Sequence, residues 1–316
     1  MLGLVLPPVT LELGEGTMAR GTLDREQVAE KLLDASAKHS FDPVHEVDWE
    51  QEQPADLFYA VPEHVSLYGT PLWERMTAEQ QIELSKQEIV NIMSMGIWFE
   101  TILMRMLLKM AYERHRPESR HVQYAYTEVG DECRHSLMFI RMIETVGARP
   151  YGRPGYLNTL GRYVPLLLQG APMWVGTLMG EEIVDVMQRE MIRDERVQPL
   201  VRQVSKIHVI EETRHVSYAR EALARRIPRA GRLEREHARL VAAESAVVVG
   251  EFMVNPAVYK RVGIADPVAA RRMAKGNPHH LEVKRRAAAK VVPFFEELGL
   301  MGGPSLKRWQ RSGFVA

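Results

Sequence analysis

The chain has 316 residues, 41 of them Lys or Arg and 41 Asp or Glu, so no net charge draws it toward nucleic acid or an anionic membrane. Its single cysteine, Cys133, excludes an intrachain disulfide and a thiolate-rich metal site and fits a reducing compartment, so any metal must be held by histidine and carboxylate. The opening stretch "MLGLVLPPVTLELGEG" lacks a basic leader and its apolar run stops at Pro7-Pro8, which argues against a signal peptide and leaves the cytoplasm as the expected location.

In chain order, "DREQVAEKLLDASAK" at 24–38 reads as a short amphipathic helix, and 40–73, with its prolines and scattered aromatics, as an irregular wrap. Thr77 and Gln80 form a capping-box pattern opening a very long helix that runs to Pro117, with a kink allowed at Gly96. A second helix covers about 118–145 and ends at Gly147 and Pro150. The apolar stretch "YVPLLLQGAPMWVGTLMG" at 163–180 is long enough to span a bilayer, but its two prolines, three glycines and Gln169 make it a broken buried segment instead. Further helices are expected at about 171–193, 197–226, 231–254 and 281–298. Strand alternation is almost absent, so the chain is all-α. It reads as one domain, a helical bundle over about 75–226 with an N-terminal wrap (1–74) and C-terminal helices (227–316).

Two stretches repeat eighty positions apart, "GDECRHSLMF" at 130–139 and "IEETRHVSYA" at 210–219. Each contains Glu-x-x-His, and at about 100° per residue Glu132 shares a helix face with His135, as Glu212 does with His215. Such a pair from each of two helices, joined by a lone Glu from each of two others, is the donor set of a two-metal carboxylate bundle. Glu100 interrupts the apolar "MSMGIWFETILMRMLLKM" and lies 132 − 100 = 32 residues before its motif. Glu181 lies 212 − 181 = 31 residues before the second, with "EEIV" aligned on "ETIL", so it is preferred to Glu182 as the counterpart of Glu100. His208, four before Glu212 and seven before His215, adds a third imidazole on the same stripe. Glu128 holds the matching place in the first half and suits an outer partner.

Asp131 and Glu211 are rotated from the neighbouring glutamates and suit the acceptor that a metal-bound histidine needs for its other ring N–H. Arg134 and Arg214 would pair with acids across the helix interface, surface salt bridging being the plainer alternative. Glu118-x-x-His121 and Glu234-x-x-His237 also match the motif, but both sit among charges and read as solvated faces. Cys133 reads as a small buried residue, the methionines as core and His279-His280 as a loop. The plain alternative for the seven-residue set is a group of buried salt-bridged acids and histidines. Repetition in both type and spacing argues against it.

The order Glu100, Glu132-x-x-His135, Glu181, His208-x-x-x-Glu212-x-x-His215 resembles the p-aminobenzoate N-oxygenase (AurF-like arylamine oxygenase) family over about 75–225, with the extra His208 as its most specific mark. That resemblance implies a ferritin-like fold and two iron ions held by Glu100, Glu132, His135, Glu181, His208, Glu212 and His215, manganese being an alternative occupant. It also implies O2 and a small aromatic amine as substrates, an external electron donor and a homodimer. The competing readings are carbon hydroxylation or desaturation at the same metals, iron storage, and radical generation at Tyr124, Tyr126 or Tyr218.

Overall fold

A computed structural model describes residues 24–114 and 116–316, and the amino-terminal stretch discussed above lies outside them. Among the described residues there are thirteen α-helices and no strand, as the all-α reading expects. Four long helices form the central bundle: α3 (Ala78–Arg114), α4 (Arg120–Thr145), α6 (Ala171–Arg193) and α7 (Pro199–Arg226). Short connections fold α3 onto α4 and α6 onto α7 as two helical hairpins, and α4 packs on α7 to join them.

The capping box forms as read. The Thr77 N–H donates to Gln80 Oε1 at 3.0 Å and the Gln80 N–H to Thr77 Oγ1 at 3.3 Å. From there α3 continues for 37 residues without a break at Gly96, so it is about 55 Å long. By length and composition alone α3 could cross a membrane, but it packs on α4 and buries Glu88 and Glu100. Leu103 and Leu107 are fully buried, each contributing about 1.5–3 kcal/mol of transfer free energy.

Outside the bundle, α1 (Arg25–Lys38) lies across α4 and α7, and the short α2 (Pro43–Glu46) touches α4. The irregular segment after it does more than wrap the surface. Trp49, Tyr59, Val65, Leu67 and Trp73 are buried in a second core with the N-terminal part of α3, and Phe58 pairs with the α6–α7 connection through Gln198 N–H···O=C Phe58 at 2.8 Å. The segment thereby closes one end of the bundle.

The apolar stretch at 163–180 is broken, though only half of it is buried. Its first part finishes α5 (Gly155–Leu167), where Leu166 and Leu167 are 59% and 68% exposed, and its second part is the buried start of α6. Gly170 makes the corner with φ +62°, a conformation costly for any side chain, and the Glu234 carboxylate occupies the space a Cβ would need.

The C-terminal region departs most from expectation. After α8 (Arg232–Phe252), which seats Ala238, Ala242 and Ala246 against α6, come α9 (Pro256–Arg261), α10 (Pro267–Gly276), α11 (Pro278–Ala287), α12 (Val291–Glu297) and α13 (Leu306–Ser312). The single helix expected over 281–298 is therefore two. His279 and His280 belong to α11 rather than a loop, because Asn277 caps that helix by accepting from the His279 N–H at 3.1 Å and Pro278 fits its first turn.

Candidate metal centre

The seven proposed donors stand one on α3, two on α4, one on α6 and three on α7, and the bundle brings all seven together. Potential ligand atoms of Glu132, His135, Glu212 and His215 lie within 4.8 Å of one another, as do those of Glu100, His135 and His208 and those of Glu181, His208 and Glu212. Shared members make the three groups one continuous, buried cluster between the two hairpins.

Each imidazole is oriented by a partner on its far nitrogen. His135 Nε2 faces Glu211 Oε2 at 2.8 Å, and its Nδ1 lies 3.3 Å from both Glu132 and Glu212. His215 Nε2 faces Asp131 Oδ2 at 3.2 Å, and its Nδ1 lies 3.1 Å from both Glu132 and Glu212. The acid beside each motif therefore serves the histidine of the other copy, a crossing of the two hairpins that linear spacing cannot disclose. His208 is turned the other way round, with Nδ1 2.7 Å from Gln188 Oε1 and Nε2 3.8 Å from Glu100 and 3.7 Å from Glu212. In all three rings one nitrogen meets an acceptor and the other faces the carboxylates.

Arg134 and Arg214 hold the two outer acids. Arg134 donates to Asp131 and lies 3.6 Å from Glu211, while the buried Arg214 reaches Asp131 at 3.3 Å and Glu211 at 3.6 Å. Each arginine thus joins an acid on its own helix to one across the α4–α7 interface. Glu181 points into the cluster, whereas the adjacent Glu182 turns out and accepts from Arg220 at 2.5 Å. Adjacent helical residues point about 100° apart, which accounts for the split. Gly180 makes room for this arrangement, because the Phe99 ring lies where a Cβ at position 180 would stand.

Burial alone would raise the acids and lower the histidines. Burial, then Glu212 and Glu132, do push the Glu181 carboxyl well up, and burial with Glu132 raises Glu100 although His208 opposes. Around Glu212 the neighbouring histidines overcome burial and hold the carboxyl well down, and burial is likewise overcome at His135 and His215 by the surrounding carboxylates, which hold both rings well above their usual range. Buried Glu181 Oε1 and Glu212 Oε2 also lack any hydrogen-bond partner. Desolvated acids crowded together with idle oxygen atoms, beside imidazoles already committed on one side, fit cation binding, and the hard-oxygen and imidazole mixture suits iron.

Several residues stand differently from the sequence reading. His121 is buried, not solvated, because α1 covers that part of α4, and it is hydrogen-bonded to the Tyr218 hydroxyl. Its partner in the motif, Glu118, remains exposed. Cys133 is exposed rather than buried, since it lies on the outward face of α4. Glu128 is fully buried with neither oxygen hydrogen-bonded, and burial pushes its carboxyl up to about 8; it belongs to none of the three donor groups. Of the three tyrosines, Tyr126 is exposed, while Tyr124 and Tyr218 are buried with ring centroids 4.6 Å apart. Two supporting residues escaped the sequence reading, Gln188 and Ser136, whose hydroxyl donates to Glu100 Oε2 at 2.5 Å. Gln188 is seven residues after Glu181 and Ser136 four after Glu132, so both lie on stripes that helical spacing could have singled out.

Fold and site together define a ferritin-like helical bundle with a buried, two-sided carboxylate–histidine centre. The p-aminobenzoate N-oxygenase AurF family matches residues 22–299, and the chain belongs to that family. Its donor cluster fits the family's two iron ions. Among curated proteins, Uncharacterized protein Mb0909 of Mycobacterium bovis and Uncharacterized protein Rv0885 of Mycobacterium tuberculosis are each 33% identical over 213 residues, covering 65% of this chain and 62% of theirs. The match thus spans less than two thirds of those relatives' length. Among solved structures, a variant R2-like ligand-binding oxidase with an anaerobically reconstituted Mn/Fe cofactor superimposes with a TM-score of 0.50 at 13% identity, over 89% of this chain and 94% of that one, a likeness of fold.

Proposed function

We propose that this protein is an O2-dependent non-haem oxygenase that holds two iron ions through Glu100, Glu132, His135, Glu181, His208, Glu212 and His215 and oxidises a small aromatic amine at nitrogen. The observation that carries the reading is the orientation of the three rings: Glu211, Asp131 and Gln188 each occupy one nitrogen, leaving the other toward the carboxylates. When bound, the metal pair supplies reduction of O2 and transfer of oxygen to the amine.

The chain's own residues prepare that chemistry. Asp131 and Glu211 fix the ring tautomers and strengthen the nitrogens that face inward, and Arg134 and Arg214 hold those two acids in place in a buried setting. Full burial of Glu132, His135, Glu212 and His215 excludes bulk water from the reacting volume. The Mn/Fe cofactor of the structural relative makes manganese an alternative occupant of one position here. An external electron donor, a homodimeric assembly and a cytoplasmic location complete the proposal, as family membership and the single cysteine suggest.

The test is metal analysis of protein produced in iron-rich medium, followed by exposure of the reduced protein to O2 with p-aminobenzoate and reductant. The expected outcome is two irons per chain and appearance of hydroxylamine or nitro product. Two irons with oxidation of carbon substrates only would move the assignment to hydroxylation or desaturation. Rapid formation of ferric mineral without organic product would move it to iron storage.

A further inference from the structure

A cleft of about 800 Å³ lies at the end of the bundle where the C-terminal part of α3, the start of α6, the last turns of α7 and the start of α8 meet. Its size is that of a small-molecule site, and none of the seven candidate metal donors lines it. The lining carries six cations, Arg25, Lys109, Arg114, Arg225, Arg226 and Arg229, against two acids, Glu113 and Glu234.

Both acids are already engaged. Glu113 lies 3.8 Å from Lys109, and Glu234 receives a fork of two 2.7 Å hydrogen bonds from Arg226 while also accepting from the Ala171 N–H at the start of α6. Arg25 pairs with Glu26 and Arg225 with Glu221. Among the described residues, Arg114 and Arg229 have no acid within ion-pair distance. Arg114 and Arg229 are both exposed at the rim of the cleft, where partial desolvation and the neighbouring charges of Arg25 and Arg226 hold the Arg114 guanidinium below its usual range. Like charges gathered in a concave, partly desolvated site focus a positive potential that an anion would relieve.

The lining also has an apolar and aromatic part. Met106, Met110, Met173 and Trp174 line the cleft, and His121 closes its inner side as a neutral ring, pushed down to about 3 by burial and by Arg25 and Arg114. His121 is bonded to Tyr218, on which Trp174 packs edge-on at 5.4 Å. We propose that this cleft is a separate binding site for a small molecule with an oxyanion group on an apolar body. Arg114, with Arg229 on the same lining, takes the oxyanion, and the methionines and Trp174 take the body.

The experiment titrates the iron-loaded protein at low salt with phenyl phosphate, benzoate and neutral benzyl alcohol, by calorimetry and by tryptophan fluorescence, with Trp174→Phe as the signal control. Saturable binding of phenyl phosphate or benzoate is expected, with benzyl alcohol at least tenfold weaker, and the phosphate and benzoate arms tell which oxyanion is preferred. Arg114→Gln should weaken the favoured anion at least tenfold while leaving iron content unchanged, and Arg114→Lys should restore part of the loss. Binding that ignores the probe's charge, binding that survives Arg114→Gln intact, as capture of the anion at the metals would, or no binding at all would each overturn the proposal. Iron content read in parallel keeps this outcome distinct from failure of the metal centre.

Discussion

The α3–α4 and α6–α7 hairpins carry the same frame, a lone Glu on the first helix and Glu-x-x-His on the second, yet they differ at the position four residues before that motif. In one half Glu128 is buried with both oxygens idle; in the other His208 is anchored by Gln188 and faces Glu100 and Glu212. The repeated frame accounts for two metals. The unmatched position supplies a third imidazole on one side only, which makes the centre less anionic there and chemically unequal. The halves are also interlocked, because Asp131 of the first orients His215 of the second and Glu211 of the second orients His135 of the first.

The largest expected effect tests the shared frame. His135→Ala and His215→Ala should each lower iron content by at least one equivalent while far-UV circular dichroism stays close to that of the parent. Retention of two full equivalents in either variant would break the equivalence of the halves. Next comes the adjacent pair on α6: Glu181→Gln should lose iron and Glu182→Gln should keep it, since Glu182 is turned to Arg220. Loss in Glu182→Gln alone would reverse the assignment.

The crossed pairing predicts a subtler reciprocity. Asp131→Asn and Glu211→Gln should each reduce metal affinity roughly 10–100-fold, the range for removing a partner of a metal-bound histidine, as measured by competition with a chelator. Unequal losses would show that one crossing dominates. Gly180→Ala, which places a methyl group against the Phe99 ring, should cost about 1–3 kcal/mol of stability in denaturant unfolding, the range for overpacking a filled site. Because Phe99 adjoins Glu100, a partial loss of iron should accompany it.

How much of this was legible in the sequence depended on helix length and on what covers each face. The four bundle helices are long and strongly patterned, so their limits and the seven candidate donors followed from spacing. Helices α9, α10 and α11 are short and begin at Pro256, Pro267 and Pro278, which look like breakers in sequence but occupy first-turn positions behind Asn255, Asp266 and Asn277, whose side chains accept backbone N–H groups. His121 and Cys133 were misjudged for a related reason, since burial on α4 is decided by distant segments: α1 covers one and leaves the other in water. The crossing of Asp131 and Glu211 depends on α4 meeting α7, a tertiary fact with no local signature.

The most direct test of the central claim is anomalous diffraction at the iron edge from crystals of the iron-loaded protein. The account predicts two iron peaks per chain inside the cluster, with Glu100, Glu132, His135, Glu181, His208, Glu212 and His215 as the protein ligands and Glu128 and Glu182 outside the coordination sphere. A single peak, or peaks ligated without His208 or Glu181, would contradict it.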